Sequence, residues 1–238
     1  MKRSVPLNPL TVITMIFALI GLGLRFWLNF SLDEKGLIPP WHLGEILLYV
    51  LTAIFFLLLL VSLKAIDTEK CHLRIRFGNT RKIGAITCAL GIGASSVLAL
   101  LKLPQGLAMI VAIGGILIAF GLLFFGFRLD NRMSFPLLSC LTVYFMLYAV
   151  SQAQRWGTVA QVQHYVFPLL AMVFLTLTGY HRAELAVRPA RCRWYVFFNH
   201  GALFFCGLSL CEMNCLFYLG AACWLVCDFT SAKFSKED

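Results

Sequence analysis

Arg25 stands inside an apolar run, on the same helical face as Gly21 and Asn29. A guanidinium in such a run must reach the polar interface or find a counter-charge, and an ionisable group within a membrane segment marks a candidate functional site. The next segment, SLDEKGLIPPWH, brings Asp33, Glu34 and His42, and Glu45 follows with Tyr49 one helical turn on. Asp33, Glu34 and Glu45 are the natural counter-charges for Arg25, and His42 or Glu45 supplies a group that could couple binding to protonation.

A second polar set, Tyr144, Tyr148, Ser151, Gln152 and Arg155, recurs at helical spacing and forms one continuous stripe. Such a stripe lines a pore or pocket, or alternatively glues one helix to another by hydrogen bonds. His164 ends the Gln-containing loop that follows, and Asn199 with His200 forms a further polar pair in a later apolar run, a candidate inner gate. Together, Arg25, Asp33, Glu34, His42, Glu45, Tyr148, Gln152, Arg155 and His164 make a candidate solute-binding vestibule, with Arg25 and Arg155 attracting an anionic or zwitterionic solute.

Metal and redox chemistry are poorly represented. His181 and Glu184 give two ligands at a basic helix end, where a solvated terminus is the simpler reading. Five of the nine cysteines crowd into positions 206, 211, 215, 223 and 227, but without a C-x-x-C they read as small apolar packing residues, with no metal or cofactor implied. Cys211 and Cys215 flank a turn where a local disulfide is conceivable. The chain carries no G-x-S-x-G, H-E-x-x-H, Walker loop or G-x-G-x-x-G, so an enzyme would have to rest on a scattered constellation such as Asp33, His42 and His164.

The elements that must position these residues follow from composition. Hydrophobic residues make up 60% of the chain and charged ones 13%, with a mean hydropathy of +0.83, far from the soluble range of about 25% charged. The chain is an all-α, polytopic integral membrane bundle forming a single membrane domain over 1–238, with no soluble domain. Spans of about 20 residues cross a bilayer, and the apolar runs lie near 9–31, 43–63, 84–101, 107–127, 135–154, 164–181, 194–211 and 214–230. Eight crossings are expected, seven being the alternative because only three residues separate the last two runs. The apolar run after Met1-Lys2-Arg3 lacks a cleavage site of the small-residue type, so the first span is expected to be retained.

Charge fixes the orientation. The segment 64–82 carries six of the twenty Lys and Arg residues, and an eight-span topology with both termini cytoplasmic places sixteen on the inner side against three outside. The net charge of +9 then reflects inner loops meeting anionic lipid, and no nucleic acid is needed to explain it. Leu73, Ile75 and Phe77 alternate with Arg74 and Arg76, a pattern suited to lying flat on the inner leaflet or to binding a partner. Ala85, Ala89 and Gly93, with Ala108, Ala112, Gly115 and Ala119, predict a tightly packed hairpin of the third and fourth spans. The loop pattern also repeats between 1–127 and 128–238, as two parallel four-helix repeats would require.

These features favour a small-molecule or ion transporter in the cytoplasmic membrane with a polar outer vestibule. A non-catalytic membrane subunit that binds a partner protein is the alternative, and an intramembrane enzyme comes third.

Overall fold

A computed structural model of the chain describes residues 7–31, 42–64, 70–75, 79–102, 106–125, 134–156, 165–188, 190–212 and 214–236. Eight helices dominate it: α1 (Leu7–Phe30), α2 (Leu43–Lys64), α3 (Asn79–Leu101), α4 (Leu107–Phe125), α5 (Phe135–Trp156), α6 (Val166–Val187), α7 (Cys192–Leu208) and α8 (Cys215–Ser231). Among the described residues, seven apolar stretches, beginning in α1 to α7, are long and apolar enough to cross a membrane, while α8 is an apolar helix of 17 residues. The lipid-facing sides of α1, α2 and α4 carry rows of exposed Leu, Ile, Val and Phe, the inverse of a soluble surface. The fold is that of a polytopic helical membrane protein.

The short α8 is central rather than peripheral. A β-carbon added at Gly91 of α3 would lie 2.5 Å from the Leu216 carbonyl oxygen and 2.9 Å from the Gly220 Cα, so only glycine lets the two backbones approach so closely. Gly84 meets Cys227 further along, making the pairing antiparallel. Gly93 turns to Ala119 of α4. The small residues of α3 therefore serve two neighbours, one more than the hairpin packing alone requires. The α3–α4 turn closes at Gly106, whose φ of 60° suits a residue without a side chain.

Three connections meet at one end of the bundle in an antiparallel sheet of order β2-β1-β3. Strand β1 (Lys70–Ile75) follows α2, β2 (Ala190–Arg191) joins α6 to α7, and β3 (Ala232–Lys236) follows α8. Lys70 pairs with Arg191, and Leu73 with Phe234. The alternation of 73–76 is thus used in part by a strand with partners on both edges, an addition to the expected all-helical plan; Phe77 lies outside the described residues. The sheet brings the segments after α2 and after α8 to the same end of the bundle. α3 starts five residues earlier than the apolar run suggests and α6 continues six residues further, so Arg81 and Arg182 belong to helices rather than loops.

Candidate functional site

Two small cavities, each with polar side chains among its lining, occupy opposite ends of a single seam formed by α3, α4, α5 and α8. The cavity at the sheet end is lined by Arg81 and Ala85 of α3, Leu122 of α4, Ser134 beside α5 with Leu137 and Leu138 of that helix, Trp224 and Asp228 of α8, and Arg182 from neighbouring α6. The far cavity is lined by Ser95 and Ser96 of α3, Ala108 and Ala112 of α4, Tyr144, Tyr148, Ser151 and Gln152 of α5, and Asn214 ahead of α8. Between them lies an apolar layer. Cys88, Ile92, Leu141, Phe145, Phe217 and Ala221 all have no exposed surface. Phe145 meets Phe217 edge-on at 6.0 Å and Trp224 at 6.3 Å, while Tyr148 stacks on Phe217 at 4.4 Å. From Leu138 to Tyr144 the rise along α5 is about 9 Å, which is the thickness of this barrier.

The stripe read from the sequence thus faces a cavity through Tyr148, Ser151 and Gln152, together with Ser95 and Ser96 of the tightly packed α3–α4 hairpin. Ser95 nevertheless also bonds back to the Ile92 carbonyl at 2.9 Å. Arg155 lies in the last turn of α5.

Around the sheet-end cavity the polar groups are held by a buried network. Arg182 Nε donates to Asp228 Oδ2 at 2.7 Å, Arg182 Nη2 reaches Oδ1 at 3.5 Å, and the Tyr195 hydroxyl donates to Oδ2 at 2.8 Å. Arg182 is 1% exposed and Asp228 6%, so each charge depends on the other in a medium where an unpaired ion is very costly. Three helices, α6, α7 and α8, are tied together by this one carboxylate. Sequence reading missed it, because Arg182 counts as a loop cation until α6 is seen to continue past it.

Among the described residues, Arg25 pairs with Glu212, a partner not among the counter-charges read from the sequence. Its Nη2 donates to Glu212 Oε1 at 2.8 Å, and its guanidinium carbon lies 5.5 Å from the Phe167 ring centre. Arg25 is 4% exposed, so it is buried rather than snorkelling. Glu45 instead accepts a hydrogen bond from Tyr49 at 3.2 Å, and Asp33 and Glu34 lie outside the described residues, as does His164. Glu212, in the α7–α8 turn, comes level with Arg25 because α1 and α7 run parallel, with Ala18 against Gly207 and Gly21 against Leu208. Burial raises the Glu212 carboxyl above the ordinary value of 4.5, and Arg25 opposes the shift.

The other expected residues are distributed more widely. His42 Nδ1 accepts from the Gly44 amide at 3.2 Å and its ring meets Trp27 edge-on at 5.5 Å, so it caps the start of α2. Asn199 and His200 are buried in α7 and line neither cavity. His200 Nδ1 bonds to the Val196 carbonyl at 2.8 Å, its ring abuts Phe229 at 4.6 Å, and neither His200 Nε2 nor Asn199 Nδ2 has a hydrogen-bond partner among the described residues. Glu184 lies 3.3 Å from His181 and takes Arg188 at 2.6 Å, and among the described residues no group of three or more His, Cys, Asp or Glu could hold a metal ion. Cys211 and Cys215 are free thiols.

No family model matches this chain, and no curated protein or solved structure matches it either.

Proposed function

We propose that this membrane protein is a transporter for a small polar solute, with its path along the α3–α4–α5–α8 seam. The observation that carries the reading is the alignment of two small cavities with polar side chains in their linings on the same helices, separated by one apolar layer centred on Phe145. Polar groups buried in a bilayer are costly unless they pair or line a hydrated space. A scaffold needs no such space on both sides of a barrier, whereas a carrier closed in the middle does. In this reading Tyr148, Ser151 and Gln152 receive the solute at the far end, the aromatic layer blocks free diffusion, and the sheet-end cavity is the second stop. The small-residue contact of α3 with α8 is smooth enough to slide, because no side chains interlock where Gly91 meets Gly220.

The sheet end faces the cytoplasm in this proposal, since that orientation puts sixteen of the twenty Lys and Arg residues inside. A reporter fused after Asp238 should therefore read as cytoplasmic, and an extracytoplasmic signal would reverse the assignment.

The transport reading predicts saturable flux of at least one solute from a panel of small anions, zwitterions and neutral polyols in proteoliposomes. Gln152→Ala should reduce that flux about tenfold by removing a solute contact worth about 1.4 kcal/mol. Phe145→Ala should instead raise passive leak by thinning the barrier. Absence of flux with every solute, together with a stoichiometric protein partner in the purified material, would identify a non-catalytic membrane subunit.

A further inference from the structure

We propose that the sheet-end cavity is an anion site that takes one compact oxyanion group, a carboxylate or a phosphate. Among the described residues, the lining carries the guanidinium groups of Arg81 and Arg182, the latter held by the Asp228 carboxylate. Arg182 spends Nε and Nη2 on that carboxylate, yet its Nη1 is buried with no hydrogen-bond partner among the described residues. A buried donor of this kind is seldom left unmade, since an orphaned charged N–H costs more than a neutral one. The Ser134 hydroxyl, on a residue 3% exposed, lines the same space. Planar guanidinium groups match the oxygen geometry of carboxylates and phosphates better than any other side chain.

Asp228 has a definite task in this arrangement. It fixes the Arg182 fork from one side, with the Tyr195 hydroxyl holding its Oδ2, and it lowers the net positive charge enough for an anion to leave again. The cavity is small, so any larger part of the ligand must extend out of it. The inference deepens the transport reading by naming the solute class. It stands on the cavity alone, however, and survives if the protein proves not to transport.

The test uses the full-length protein in phosphatidylcholine nanodiscs, with a bulky sulfonate as the only other anion and ionic strength held constant. Inorganic phosphate or acetate should raise the melting temperature saturably. Arg81→Gln, at the edge of the helix bundle, should weaken the half-saturating concentration about tenfold. Asp228→Asn keeps an acceptor for Arg182 and Tyr195 but removes the competing charge, so it should tighten anion binding by about the same factor. The paired variant Arg182→Gln/Asp228→Asn leaves no unpaired buried charge and should abolish the response while remaining folded. A second arm adds phosphatidylglycerol without free anion. A melting shift there that Arg81→Gln removes assigns the site to a lipid phosphate, whereas a shift in phosphatidylcholine with phosphate or acetate assigns it to a free anion; either supports an oxyanion site. No shift in either arm, or Asp228→Asn weakening binding as Arg81→Gln does, overturns it. Flux measured on the same variants separates the two ideas: solute flux without an anion response removes the site and leaves transport, and an anion response without flux does the reverse.

Discussion

Asp228→Ala is expected to destabilise the purified protein by about 3–5 kcal/mol, more than any truncation of an apolar side chain on the lipid-facing surface. Removing the carboxylate strands the Arg182 guanidinium, which is 1% exposed and cannot shed its proton, and it also leaves the Tyr195 hydroxyl without its acceptor. The loss comes mainly from the abandoned charge rather than from the pair's own attraction. The control is therefore Arg182→Leu/Asp228→Ala, which deletes both charges and should recover most of the stability, as replacing a whole buried ion pair with apolar groups commonly does. Unfolding in mixed micelles measures both variants. Single and double variants equal in stability would mean that the pair is not buried in the native bundle. A double variant that is stable yet transports nothing would instead place the pair in the function.

The same network shows where sequence reading succeeds and where it stops. Helix α4, 107–125, is a near-continuous apolar run and declares itself, and the stripe from Tyr144 to Gln152 is visible because a helix repeats every three to four residues. Arg81 and Arg182 are misread as loop charges because hydropathy ends a span at the first cation. A cation satisfied by a carboxylate 46 residues away carries no local sign of it. Arg25 is flagged correctly as an expensive charge, but its partner Glu212 lies 187 residues along the chain and depends on α1 running parallel to α7. Nearness in sequence favours Glu45, and the fold turns Glu45 to Tyr49. The strand at 70–75 is suggested by its alternation, yet its partners at 190–191 and 232–236 are set by the helices that deliver them to the same end. The alignment of the two cavities is likewise a tertiary property: it needs α3 and α8 to pack glycine on glycine before Ser95, Asn214, Arg81 and Asp228 fall on one seam.

Removing either partner of the Arg25–Glu212 pair should cost stability, and the two losses should move in opposite directions with pH. Burial already holds the Glu212 carboxyl above 4.5, with Arg25 working against the shift. A carboxyl raised in this way binds its proton more tightly in the folded state than in the unfolded one. Its favourable contribution is complete below 4.5 and is lost as pH rises through the folded value. Arg25→Ala removes the opposing charge, so the folded value climbs further and the loss grows and extends to higher pH. That variant should be destabilised by about 1–3 kcal/mol near neutrality and by clearly less at pH 5, where the carboxyl is closer to neutral. Glu212→Gln leaves Arg25 charged, 4% exposed and facing Phe167. Arginine does not titrate in this range, so this variant lacks the pH-dependent contribution of Glu212 and its deficit relative to the wild type should shrink as pH rises. In Arg25→Ala/Glu212→Gln the pH dependence assigned to this pair should vanish. Melting curves of the four proteins between pH 5 and pH 8 decide the matter. An Arg25→Ala deficit that stays constant or shrinks as pH rises would show that Glu212 is not the group answering Arg25 at the far end of the bundle.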